Sequence, residues 1–597
     1  MGSAKKNGLR LAAVVSVGAL ALAACGGGSS SSGSSSASGG ASAGASGSAA
    51  AGGNQTGTKG GTINVLTQED QFLHLDPQRN YTGVDLAFAS GYLHRTLTAY
   101  KFAPGPEGVT IVPDMATDLG TPSNGAKTWA FTLRDGITFE DGTAVTCADV
   151  KYGVSRTFAT DVITDGPTYA ISMLDIPKAA DGTSTYKGPY STDATNDVAS
   201  FDKAITCSSD NKTITFNLVR PVGDFNYTTT LLAFSPVPKA ADTGEKYDDH
   251  PMSTGPYKIQ DYTKGQKLTL VRNDKWDPKS DDYRPAYPDQ VVVSFALDPA
   301  AIDQRIIADA GDDKTAVTLA GMQPENLATV FSGGDPRFKD RSVNGYDVYT
   351  RYIAINSQKV TDQKQRQAIA IALNRAELKQ IAGGDFAGDL ADGAIKPNLA
   401  TDYAPSGMWT DMFGQKIPDT GDPELAKKLI ADSGKPMPTL TYQYGQTPTA
   451  DKAAASIKAS LEKAGMTVKL APIEPGQYYG VVLDPTKAME LMNSGWGPDW
   501  QNASTVIPEL FGAKGGFNLS QVKDSAYEAK VQEALAMTDR TAQADAWKAL
   551  NKQAMEQAWI VPTRFPKQQY IWGSNVGNGY MWDPYGSMPF GVLFVKQ

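Results

Sequence analysis

Three cysteines and three histidines are all that the 597 residues contain. His74, His94 and His250 stand far apart, and no His-x-x-x-His or Cys-x-x-Cys pair occurs. That spacing argues against a zinc site, and no metal or cofactor is expected. No dense Lys/Arg cluster follows the N-terminus, and the net charge is −9. An acidic surface does not neutralise phosphates, so nucleic acid is not an expected partner. No Walker loop occurs, so any ATP would be hydrolysed by another protein. No dinucleotide glycine fingerprint follows a strand. Ser520-Gln-Val-Lys523 matches Ser-x-x-Lys, but no Lys-Thr-Gly accompanies it. Gly40-Ala-Ser42-Ala-Gly44 matches a hydrolase elbow without the strand and helix that would frame one. No catalytic residue is assigned, and a secreted hydrolase remains the minor alternative.

The N-terminus carries Lys5, Lys6 and Arg10, then the apolar run Leu11–Ala24. That run is shorter than the roughly 20 residues needed to span a bilayer and has the length of a signal-peptide core. It ends in Leu22-Ala23-Ala24-Cys25-Gly26, which resembles the bacterial lipobox. Cys25 is the expected lipidation site, and two acyl chains would give stable anchoring. The protein is therefore placed on the outer face of the bacterial cytoplasmic membrane. Residues 26–60 are mostly Gly, Ser and Ala and cannot bury enough surface to fold. They read as a disordered tether with an r.m.s. span of roughly 30–35 Å.

Removing Cys25 leaves Cys147 and Cys207. In an exported protein this favours one disulfide, worth about 4 kcal/mol on chain entropy; two separate buried thiols are the alternative.

The body begins at Thr62, where Ile63 and Val65 alternate as in a strand. Trp129, Phe131 and Leu133 alternate, as do Ile214, Phe216 and Leu218; the two segments read as half-buried strands of one sheet. Thr146 and Asp149 resemble a capping box. Tyr257–Gln260 and Lys267–Arg272 flank a hairpin turn. Farther on, helices and strands alternate. Asp362 caps one helix, Asp422-Pro423 opens another that stops at Gly434, and helices over 450–463 and 541–558 precede strands at 467–470 and 559–563. Such units indicate α/β lobes with mixed sheets.

Two stretches have the chemistry of a ligand site. Gly495-Trp-Gly-Pro-Asp-Trp500 sets one carboxylate between two indoles in a segment that glycine and proline keep irregular. An ammonium brought there gains a charge-assisted hydrogen bond and a cation–π contact. Equally, the indoles could plug a core, with Asp499 capping a helix at Ala503. Gln477-Tyr478-Tyr479 is an aromatic loop suited either to a pocket or to lobe packing.

Leu75-Asp76-Pro77, Val112-Pro-Asp-Met-Ala116, Phe131–Phe139, Asp141-Gly-Thr143, Ala148-Asp-Val-Lys-Tyr152, Ser253-Thr-Gly-Pro-Tyr257, Val271-Arg-Asn273, Ala354-Ile-Asn356, Arg366-Gln-Ala368 and the Gly495–Trp500 loop follow one another along the chain. In this order they resemble the family 5 solute-binding proteins of ABC importers, the oligopeptide- and dipeptide-binding group. The resemblance implies a two-lobed α/β periplasmic-binding-protein fold of the large class, hinged between lobes. Lobe one would comprise 61–94, 246–298 and 561–597, the additional domain 95–245 with both cysteines, and lobe two 299–560. It implies a monomer that captures short peptides in the interlobe cleft and delivers them unchanged to an ABC permease with cytoplasmic ATPase subunits. Asp499 would pair with the peptide ammonium beside Trp496 and Trp500, with Tyr478, Tyr479, Gln68 and Asp70 also facing the ligand. A non-peptide solute, such as a nickel chelate or oligosaccharide, and a sensor role fit the same resemblance.

Overall fold

The computed structural model describes residues 54–597. The expected signal peptide, Cys25 and residues 26–53 of the expected tether lie outside the described residues. Among the described residues no helix is long and apolar enough to cross a membrane.

A first sheet of five strands runs in the order Ala316–Thr318, Thr62–Leu66, Gln290–Ser294, Lys267–Arg272, Tyr257–Thr263. Thr62–Leu66 pairs in parallel with Gln290–Ser294, and Val291 lies opposite Leu270 in an antiparallel ladder. Alternation does the work: Ile63, Val65, Leu268, Leu270, Val291 and Val293 are all fully buried on the same layer. Gly265, at φ +75°, makes the hairpin turn.

The additional domain is built on a four-stranded antiparallel sheet, Thr121–Ser123, Thr128–Thr132, Thr213–Asn217, Ile205–Cys207. The two alternating strands are neighbours, with Trp129 opposite Phe216 and Phe131 opposite Ile214. Cys147 and Cys207 are joined by a disulfide, Cα to Cα 5.8 Å. It ties the first turn of the helix Cys147–Arg156 to the edge strand Ile205–Cys207. The other end of that helix is fastened to lobe one. Arg156 makes a two-pronged ion pair with Asp76, Nη1 to Oδ1 2.8 Å and Nη2 to Oδ2 2.6 Å, and both side chains are fully buried.

Lobe two carries a seven-stranded mixed sheet in the order Ser342–Tyr346, Ile560–Ile571, Thr350–Ile355, Leu491–Trp496, Leu440–Gly445, Val468–Ile473, with Gly388–Leu390 also on Ile560–Ile571. Its helices begin where capping chemistry permits. Asp362 accepts N–H bonds from Lys364 and Gln365, and Asp422 accepts one from Leu425 just after Pro423. Gly434, left-handed at φ +65°, ends the second of these helices.

Strand pairing moves the lobe boundaries. Ala316–Thr318 completes the sheet of lobe one, and Ile560–Ile571 belongs to the sheet of lobe two. The expected bounds at 299 and 561 thus do not coincide with the sheets: 316–318 pairs in the first and 560–571 in the seven-stranded one. The body also starts earlier than residue 61. Gln55 and Asn578 exchange hydrogen bonds of 2.8 and 3.0 Å, and Tyr580 donates to Asn54 at 3.1 Å.

Candidate functional site

The Gly495–Trp500 loop leaves lobe two at the end of the strand Leu491–Trp496. Its glycines have little room. A Cβ on Gly495 would come within 2.6 Å of the Arg351 guanidinium, and one on Gly497 within 3.3 Å of the Tyr349 ring. The two indoles then part company. Trp496 stays with lobe two: it donates its indole N–H to the Thr505 carbonyl at 2.7 Å and packs 4.5 Å from the Phe517 ring. Trp500 enters the core shared by lobe one and the additional domain, where it is 3% exposed. Its N–H is shared between Asp224 Oδ2 at 3.1 Å and Ser504 Oγ at 3.0 Å, and its ring meets Tyr169 edge-on at 4.7 Å.

Asp499 sits between the two anchors, half-buried at the junction. Thr505 Oγ1 accepts its backbone N–H at 2.9 Å. Its carboxylate accepts the hydroxyl of Tyr81 at 2.6 Å and that of Tyr169. Tyr81 precedes the lobe-one helix Gly83–Tyr92, and Tyr169 opens the additional-domain helix Tyr169–Met173. One carboxylate of lobe two is therefore held by phenols from both facing bodies. Burial pushes its pKa up to about 6; the two phenol donors work against that rise, and Glu509 nearby adds to it. Burial next to the same carboxylate raises both phenols far above their ordinary range. A desolvated carboxylate with donors already fixed on it is an acceptor for a cation, and an ammonium is the smallest that brings its own donors.

Tyr349 borders the loop, 43% exposed, with the Arg351 guanidinium 4.8 Å from its ring centre. A cavity of about 480 Å³ lies just past the loop, between Gln501 and Arg540 on lobe two and Asp224 and Tyr227 on the additional domain.

The remaining expected site residues divide. Tyr479 is 41% exposed and packs on Phe517, which joins it to Trp496. Tyr478, expected to line the ligand site, is packed inside lobe two instead, its hydroxyl spent on the carbonyls of Gln443 and Asn493. Gln68 is exposed and pairs with Glu69 at 3.3 Å. Asp70 is exposed, and its carbonyl receives Gly265 N–H at 2.7 Å, at the hairpin turn. Neither is hydrogen-bonded to the Asp499 cluster. The helix at Ala503 is capped by Asn502, not by Asp499. Ser520, the serine of the Ser-x-x-Lys match, is buried and donates to the Trp559 carbonyl at 2.7 Å. Tyr81, Tyr169, Tyr349 and Asp224 escaped sequence reading, because no pattern links lone residues that lie more than a hundred positions from the loop. Among the described residues no group of three metal-ligating side chains assembles.

Residues 110–518 match the model of the bacterial extracellular solute-binding proteins, family 5 Middle. The dipeptide-binding protein of Escherichia coli is 24% identical over 520 residues, covering 81% of this chain and 85% of that protein. The peptide transport periplasmic protein SapA of Haemophilus influenzae is 23% identical over 371 residues, 60% of each chain. Among solved structures, clavulanic acid biosynthesis oligopeptide binding protein 2 superposes with a TM-score of 0.81 at 28% identity, covering 91% of this chain and 97% of that one.

Proposed function

The chain belongs to the bacterial extracellular solute-binding proteins of family 5, and from that premise we propose that it captures short peptides between its lobes and passes them to an ABC permease. The peptide's α-ammonium pairs with Asp499, flanked by Trp496 and Trp500, and the ligand leaves chemically unchanged. A diacylglyceryl anchor on Cys25 and the Gly/Ser/Ala segment after it keep the body near the permease at the outer membrane face. The protein works as a monomer and needs no cofactor.

The observation that carries this reading is the placement of Asp499. A carboxylate supplied by lobe two accepts hydroxyls from lobe one and the additional domain. An ammonium bound at that point touches every body whose relative position changes in hinge closure, so ligand binding and closure are one event. Relatives that are named as peptide and dipeptide binders support the ligand class.

Titration of the purified protein with free-amine and N-acetylated tripeptides, followed by tryptophan fluorescence, tests it. Trp496 and Trp500 flank the binding point and report its occupation. Acetylation is expected to abolish binding, and equal affinity for both forms would refute the role of Asp499.

A further inference from the structure

The C-terminal segment of lobe one turns tightly at Trp582-Asp-Pro-Tyr-Gly-Ser587. Trp582 N–H donates to the Ser587 carbonyl at 2.7 Å, and Tyr585 N–H to the Trp582 carbonyl at 3.3 Å. The Trp582 indole donates to the Lys101 carbonyl at 2.9 Å and fixes the base of the turn. The turn touches each element around Asp499. The Pro584 carbonyl accepts the side-chain amide of Gln501, two residues past Asp499, at 2.8 Å. A Cβ on Gly83, two residues past Tyr81, would come within 3.3 Å of the Tyr585 carbonyl. One on Gly586 would come within 3.1 Å of Asp347 Cα, in the lobe-two loop that carries Tyr349.

Asp583 stands half-buried in this turn. Among the described residues its carboxylate has no hydrogen-bond donor, and Lys396 of lobe two supplies the one charge that favours its ionised form. Lys396 has no N–H left to give. An ammonium carries three donors. Those of Lys396 go to the Asp347 carboxylate at 2.7 Å, the Pro566 carbonyl at 3.2 Å and the Asp347 carbonyl. Burial raises the Asp583 pKa to about 6, so at neutral pH the turn presents an ionised carboxylate with no cation in contact.

We propose that Asp583 receives a basic side chain of the peptide held at Asp499, so that the protein prefers ligands carrying lysine or arginine. A side-chain ammonium or guanidinium supplies the donors that Lys396 withholds, and the charge-assisted bond forms at a point already shielded from water. The inference rests on the reading of Asp499 as the acceptor of the α-ammonium and adds a second positive charge to the ligand.

Isothermal titration with tripeptides tests it. Lysine is placed in turn at each position of trialanine, and each probe is matched by its norleucine counterpart, which keeps the apolar stem and lacks the charge. All are titrated at neutral pH into the wild type and Asp583→Asn. At one position the wild type is expected to bind the lysine peptide roughly 10- to 100-fold more tightly than its norleucine match. Asp583→Asn is expected to lose that margin and to bind the norleucine peptides within about twofold of the wild type, which shows that it folds. A wild type without preference for lysine at any position overturns the proposal, whatever the variant does. So does a preference that survives in Asp583→Asn, or an equal loss for lysine and norleucine peptides. N-acetylated probes report on Asp499 separately. If the acetylated lysine peptide binds as well as the free amine and still depends on Asp583, only the Asp499 reading fails.

Discussion

Trp500 of lobe two donates its indole N–H to the buried carboxylate of Asp224 in the additional domain, 3.1 Å away. The bond crosses the junction between lobes one residue from Asp499. Burial raises the pKa of Asp224, while Ser504 and Trp500, its two donors, favour the charged form. Trp496 anchors the other end of the loop in lobe two. Asp499 is thereby suspended between two fixed indoles, and its own side chain is left for the tyrosines or for a ligand.

Trp500→Phe keeps the ring against Tyr169 and deletes the donor to Asp224. The cost in stability is expected to be about 1–3 kcal/mol, because a buried carboxylate loses one of its two side-chain donors. Urea unfolding measures it, and peptide affinity is expected to fall in parallel because the loop loses its hydrogen-bonded anchor in the additional domain.

Ligand affinity should depend on pH through Asp499. Its carboxyl, with a pKa of about 6, must be ionised to pair with an ammonium. Affinity for a free-amine peptide is therefore expected to be flat above pH 7 and to fall by up to about tenfold per unit as the pH drops below 6. Asp499→Asn is expected to weaken binding by roughly 2–5 kcal/mol and to remove the pH dependence. Calorimetric titration across pH 5–8 checks both.

The same shift affects ligand-free stability with the opposite sign. The folded pKa of Asp499 lies above its ordinary value of 3.8, so between pH 4 and 6 the folded state holds a proton that the unfolded chain has released. That group therefore adds stability as the pH falls through 6 and withholds it at neutral pH. Asp85 and Asp583, also raised to about 6 by burial, act alike, and His94, lowered to about 4, acts the other way. Comparing variants cancels these. Ligand-free Asp499→Asn is expected to melt above the wild type at pH 7.5, with the gap closing toward pH 5.

Asp76→Ala removes the two-pronged partner of the fully buried Arg156 and leaves it Asp242, 3.2 Å away, as its ion pair, so it should cost about 1–3 kcal/mol in thermal or denaturant unfolding. Opening the Cys147–Cys207 bridge, which closes 60 residues, should cost about 4 kcal/mol on chain entropy. A Cys147→Ser, Cys207→Ser double variant measures it.

The sheet of the additional domain was legible because its strands alternate strictly: Trp129 and Phe131 face inward beside Phe216 and Ile214. Helices announced themselves where an aspartate caps them, as at Asp362 and Asp422. The strand after Trp559 was legible only at its start. It runs on to Ile571 past Pro566, which loses its donor but still accepts Asp347 N–H at 3.1 Å. Tyr478 and Tyr479 read alike in sequence and differ in space because neighbouring helix positions point about 100° apart, one into lobe two and one to its surface. Asp499 was reachable through its loop. Its partners Tyr81 and Tyr169 were not, since they lie 418 and 330 residues away in the chain.

The resemblance itself leaned on residues that hold the fold rather than the ligand. Asp76 binds Arg156, and Asp114 binds the buried Arg95 and Arg284. Such residues identify an architecture, while the ligand chemistry resides in Asp499 and its neighbours.

A crystal structure of the protein with a free-amine tripeptide tests the central claim most directly. The account predicts the ligand's α-ammonium about 3 Å from the Asp499 carboxylate, inside the ring of Tyr81, Tyr169 and Trp500. A bound peptide elsewhere, with both tyrosine hydroxyls still on Asp499 and no ligand nitrogen beside them, would contradict it.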